Sequence, residues 1–87
     1  MSFHYCYLLR CADGTLYCGW TVDLENRIRM HQMGRGSRYT RCRLPVSLVY
    51  YEEFETRSDA QKREMEIKKM RRNKKEKLIN IFNGIHD

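Results

Sequence analysis

The sequence has no long hydrophobic run. Its unbroken apolar stretches are a few residues each, whereas a membrane helix needs about 20. Its four cysteines, Cys6, Cys11, Cys18 and Cys42, form no C-x-x-C pair and no zinc-like spacing, so the usual sequence grounds for a structural zinc site are missing. There is no internal repeat, no low-complexity tract and no linker, and hence no sign of a domain boundary. The opening Met1-Ser2-Phe3-His4 does not read as a signal peptide. These absences lead to the expectation of a reduced, cytoplasmic protein with no membrane partner, with Cys6, Cys11 and Cys18 acting as small buried hydrophobes. Acid is scarce as well. Eleven Asp and Glu stand against seventeen Lys and Arg, for a net charge of +6, which favours polyanionic partners, nucleic acid first.

The 41% apolar fraction of the 87 residues supports a folded chain. A chain of this length buries roughly 60–65% of its unfolded surface, so a shallow groove is expected rather than a deep pocket. One domain over residues 1–83, with a loose tail at 84–87, is the expected organisation.

Phe3 to Arg10 has apolar residues at both parities and reads as a central strand covered on both faces. Asp13-Gly14 signals a hairpin turn, and Thr15 to Thr21 reads as the partner strand. Asp23 is placed to cap a helix over Leu24–Met33, ended by Gly34 and Gly36. Arg35 to Arg43 reads as a loop with four arginines and no acid. Pro45 opens a third strand, to about Phe54. Ser58-x-x-Gln61 reads as a capping box opening a second helix. Asn73 is the expected break, with helix resuming over Lys74–Phe82. The fold class expected is α+β, a small three-stranded antiparallel sheet flanked by helices.

Several side chains stand out against this frame. Glu64 shares a helical stripe with Ala60, Ile67 and Met70, and a carboxylate there is costly unless it is paired or holds a metal. It reads as a structural ion pair, as a rim residue, or as a ligand for Mg²⁺, which keeps much of its water shell and needs few protein donors. Arg27 reads as a phosphate fork or as a solvated residue pairing with Asp23. His31, four residues on, reads as a phosphate contact, a proton-transfer group or a core histidine completing the Leu24/Ile28 face. Tyr5, Tyr7 and Tyr17 fall on paired strands, as packing residues or as phenols aimed at one spot. Arg35, Arg38, Arg41 and Arg43, with Lys68 and Lys69 on the second helix, suit contact with a nucleic-acid backbone. Tyr39 among them is suited to stacking on a base.

Tyr5-Cys6-Tyr7, Tyr17-Cys18-Gly19, Arg27 with His31, Gly36-Ser37-Arg38-Tyr39-Thr40-Arg41 and Arg63-Glu64, in that order, resemble the motifs of the GIY-YIG nuclease family, especially its small standalone bacterial members. The resemblance implies metal-dependent hydrolysis of DNA phosphodiester bonds, structure-selective or weakly sequence-specific, with DNA a better partner than RNA. It implies Tyr7, Tyr17, Arg27, His31 and Glu64 as catalytic residues. Glu64 would hold one Mg²⁺ or Mn²⁺, Arg27 would stabilise developing charge, and Tyr17 or Tyr7 would orient or deprotonate the attacking water. Tyr5 stands where the first motif has glycine, and Trp20 where many relatives carry a basic residue. Two other functions suit the same residues: a non-catalytic nucleic-acid-binding module, and a nuclease domain active only with a protein partner.

Overall fold

The computed structural model describes residues 3–84. The elements run β1 (His4–Arg10), β2 (Leu16–Thr21), α1 (Leu24–Gln32), α2 (Arg38–Arg41), β3 (Ser47–Phe54), α3 (Arg57–Lys68) and α4 (Arg72–Phe82). The strands form one antiparallel sheet in the order β2-β1-β3, so β1 is central, as its two apolar parities require. The α+β architecture is the one expected. Of the tail expected at 84–87, all but Gly84 lies outside the described residues.

Alternation along β1 divides the core. Cys6 and Leu8 face α3 and α4, where they pack with Cys18, Tyr50, Ile67 and Ile79. Tyr7 and Leu9 face the other way and pack with Cys11, Val46, Leu24 and Ile28. Leu8 and Leu9 are fully buried, worth about 1.5–3 kcal/mol each. A register shift opposite Leu8/Leu9 pairs Leu8 with Tyr50 but Leu9 with Leu48. The extra residue turns Tyr50 to one face and Leu48 to the other, although their spacing of two would otherwise place them together.

Local chemistry sets the element ends. Asp13 accepts hydrogen bonds from the Thr15 amide and hydroxyl, at 3.1 and 2.6 Å, and Gly14 supplies the positive φ of +83° that closes the hairpin turn. Asp23 caps α1, accepting from the Asn26 amide at 3.1 Å. Four boundaries differ from expectation, the first being β3, which begins at Ser47 rather than Pro45. The arginine loop contains the short helix α2, because Ser37 accepts from the Thr40 amide at 3.2 Å and caps a turn. Helix α3 is capped by Thr56, not Ser58, since the chain is still extended at Thr56 as it leaves β3 and its hydroxyl reaches the Asp59 amide. The break between α3 and α4 falls before Asn73. Three-residue backbone bonds at Lys69 and Met70 tighten the end of α3, Met70 packs on the core, and Arg71 is extended.

Candidate active site

The side chains singled out on the first two strands and the first helix meet on the α1 face of the sheet. Tyr7 of β1 stands opposite Gly19 of β2. A Cβ at Gly19 would lie 2.6 Å from the Tyr7 hydroxyl, so glycine in Tyr17-Cys18-Gly19 lets the Tyr7 ring lie across the neighbouring strand. The Tyr7 hydroxyl thereby reaches His31, sharing a hydrogen bond of 2.9 Å with Nε2. Tyr17 of β2 packs beside the same imidazole, ring centroids 5.2 Å apart. Arg27, one turn before His31 on α1, acts on Tyr7 as a positive neighbour.

Burial dominates the electrostatics. Tyr7 is 1% exposed, and loss of water pushes its phenol up to about 12, with Arg27 opposing the rise. His31 is fully buried, and burial, reinforced by the Arg27 charge, pulls its imidazole down to about 4. His31 is therefore neutral at pH 7. Its Nδ1 lies 2.8 Å from the Thr40 hydroxyl, so both ring nitrogens have protein partners. It cannot also touch a phosphate from there. Of the functional roles expected for it, sharing a proton with a neighbour is the one its position permits.

The segment after α1 folds back onto this cluster. Arg27 donates to the Gly36 carbonyl at 3.2 Å, instead of pairing with Asp23. The Gly36 backbone lies so close to His31 that a Cβ would overlap the imidazole. Tyr39 stacks on Tyr17 at 5.9 Å, and the Arg43 guanidinium covers the Tyr39 ring at 3.8 Å. Arg43 also donates to the Tyr39 carbonyl and pairs with Asp13 at 3.0 Å. The Tyr39 ring thus lies between two protein groups rather than open for a base, and Arg43 is a tie within the fold. Arg35, Arg38 and Arg41 are exposed. Gly36, Ser37 and Thr40 were legible in sequence as a helix end and as parts of a family-like loop, but none of them was named as a partner of His31. An uncharged Thr three residues after Ser in that loop was the available signal.

Glu64 stands on α3, which packs on the opposite side of the sheet and meets the edge strand β2 next to Tyr17. Its helix packs on Cys6, Leu8 and Cys18 through Ile67, and its carbonyl accepts from the Cys18 thiol at 3.8 Å. Its side chain is 16% exposed and pairs at 3.6 Å with Lys68, itself 55% exposed. Lys69 is exposed beside Met70, Arg71 and Lys74. Among the described residues no group of three or more His, Cys, Asp or Glu is placed to hold a metal ion. A half-buried carboxylate with one long, exposed partner has donor chemistry that suits a hard, largely hydrated cation. An open groove between α1 and β3 is lined by Tyr5, Leu48 and Tyr51 and rimmed by Asp23, Glu25 and Glu53. Tyr7, Tyr17, Arg27 and His31 do not line it, and its three carboxylates outnumber its one cation, Arg29, which disfavours a polyanion.

Known proteins are similar in sequence and in fold. Residues 3–77 match the model of the GIY-YIG catalytic domain. A UPF0213 protein of Staphylococcus saprophyticus is 53% identical over 79 residues, covering 91% of this chain and 96% of its own. A UPF0213 protein of Clostridium perfringens is 54% identical over 76 residues, 87% of this chain and 82% of that one. The solution NMR structure of a UPF0213 protein from Bacillus halodurans superposes with a TM-score of 0.60 at 42% identity, over 91% of this chain and 84% of that one. The solution NMR structure of a protein from E. faecalis superposes with a TM-score of 0.63 at 42% identity, over 100% of this chain and 92% of that one. With the matched model spanning both tyrosine strands, α1 and α3, this chain belongs to the GIY-YIG catalytic-domain family, a family of nucleases.

Proposed function

We propose that this protein is a metal-dependent endonuclease that hydrolyses DNA phosphodiester bonds, structure-selectively or with weak sequence preference. The observation that carries this reading is the convergence of Tyr7, Tyr17, Arg27 and His31, from two strands and a helix, within a chain of the GIY-YIG family. Arg27 is the cation available to stabilise charge developing on a phosphate. Tyr17, half-buried where Tyr7 is fully enclosed, is the phenol better placed to meet an attacking water. Tyr7 and the neutral His31 form its backing wall. Arg35, Arg38 and Arg41 are exposed beside it and suit contact with a DNA backbone without sequence choice. Glu64 would hold Mg²⁺ or Mn²⁺ in exchange for Lys68, and the ion would polarise the phosphate and ease departure of the leaving oxygen.

The test is incubation of purified protein with nicked, branched and plain duplex DNA plus Mg²⁺ or Mn²⁺. Cleavage of at least one substrate, abolished by Glu64→Ala, is the expected result. No cleavage of any of them, or equal cleavage by Glu64→Ala, overturns the reading.

A further inference from the structure

A buried chain of hydroxyls runs from Tyr7 through His31 to Thr40 and Ser37. Tyr7 to Nε2 is 2.9 Å, Nδ1 to Thr40 Oγ1 is 2.8 Å, and Thr40 Oγ1 to Ser37 Oγ is 3.0 Å. His31 and Thr40 are fully buried. A neutral imidazole carries its proton on one nitrogen and accepts at the other, so this chain has two polarities.

The Tyr7 end distinguishes them. A buried hydroxyl hydrogen needs an acceptor. Its hydrogen-bond partner among the described residues is His31 Nε2, and the nearby Arg27 guanidinium has only donors to offer. Tyr7 therefore donates to Nε2. The imidazole proton then sits on Nδ1 and is donated to Thr40 Oγ1. The Thr40 hydroxyl hydrogen has the Ser37 carbonyl at 3.4 Å and the Ser37 hydroxyl as acceptors. In the opposite polarity Nε2–H would point at Tyr7, and the Tyr7 hydrogen would have no acceptor.

We infer that Thr40, held by Ser37, is a positioning residue that locks His31 as the Nδ1–H tautomer and so fixes the direction of the Tyr7 hydroxyl. Both hydroxyls are fixed in turn, because Ser37 caps α2 and Thr40 lies in its only turn. The charged or titratable groups around the ring are Arg27, Tyr7 and Tyr17, and none of them competes for Nδ1. The consequence for the site rests on the proposed nuclease function. With its hydrogen committed to His31, Tyr7 presents lone pairs toward Arg27 and Tyr17, as an acceptor rather than a donor.

The deciding measurement is long-range ¹H–¹⁵N NMR of the imidazoles at pH 7, with His31 assigned through a His31→Gln sample. A protonated Nδ1 and bare Nε2 are expected in wild type and in Thr40→Ser. Thr40→Val is expected to lose the single tautomer and to lower cleavage roughly tenfold, the worth of about one hydrogen bond, with Thr40→Ser restoring it. A protonated Nε2 in wild type, or an unchanged Nδ1–H tautomer in Thr40→Val, overturns the inference. Should Thr40→Val fail to fold, the wild-type and Thr40→Ser spectra still decide. The tautomer is read without cleavage, so a protein that cuts no DNA would sink the nuclease reading and leave this result standing.

Discussion

Toward α3 and α4 the sheet presents Cys6, Leu8, Cys18 and Tyr50, closed over by Ile67 and Ile79, and the polar partners there sit at the margin, as in Arg63 with Glu52 at 2.8 Å. Toward α1 it presents Leu9 together with a phenol, an imidazole and two hydroxyls linked in one buried chain. Both faces exclude water. The first does so mainly with aliphatic groups, its Tyr50 hydroxyl and Cys18 thiol bonded to Glu52 and the Glu64 carbonyl, so its stability chiefly follows the apolar area removed from solvent. The second encloses groups that are tolerated only when each finds its mate. A core built purely for stability has no need of the second arrangement. The contrast separates a face closed mainly by apolar packing from one that encloses linked polar groups, with Glu64 rising from the first where α3 meets the edge strand β2 at Cys18.

The largest effect that tests this contrast belongs to the apolar face. Leu8→Ala should lower unfolding free energy by about 2–5 kcal/mol, measured by urea titration, with the His31 imidazole NMR signals unchanged below the transition. A change in those signals would mean that the faces are not independent. On the polar face, Arg27→Ala should reduce DNA cleavage about 10²–10³-fold, or ~3–4 kcal/mol of transition-state stabilisation, while changing the unfolding free energy by less than about 1 kcal/mol. A variant that instead unfolded with activity per folded molecule intact would make Arg27 a tie to Gly36 and nothing more.

Acid should weaken the polar face selectively. His31 has a folded pKa of about 4 against 6.5 for the free side chain, so between those values the unfolded chain binds the proton and the folded one resists it. The stability His31 contributes is fully present above pH 6.5 and is lost as pH falls toward 4, about 3 kcal/mol in all. The stability difference between wild type and His31→Gln, followed by urea titration from pH 7.5 to about 4, should shrink on that limb. A difference constant across the range would show that the imidazole is not held neutral by burial. The smallest effect lies on the surface. Arg38→Ala should weaken DNA binding a few-fold and reduce the slope of log affinity against log salt by about one. An unchanged slope would remove Arg38 from the DNA contact.

The order of elements was legible in the sequence because the signals were local. Apolar residues at both parities marked β1 as central, Asp13-Gly14 marked the hairpin, and Asp23 marked the start of α1. The competing starts Thr56 and Ser58 show the limit of such signals. Both are hydroxyl residues, and only the extended backbone leaving β3 selects Thr56. Tyr7, Tyr17, Arg27 and His31 could be named in advance through residue type and spacing. That Tyr39 is sandwiched between Tyr17 and Arg43, and that Arg43 is bound to Asp13, depended on contacts between segments distant in the chain.

By itself the sequence determined the strands, the three longer helices and the positive charge, since periodicity, caps and composition act over a few residues at a time. Only the tertiary structure decided which polar groups are dry and which partners they have. Packing the Ser37–Thr40 turn over α1 took His31 out of water, and Gly19 opened the space through which Tyr7 reaches it. Burial is a property of every segment that closes over a side chain, so the protonation and direction of this hydrogen-bonded chain could not be read from any one of them.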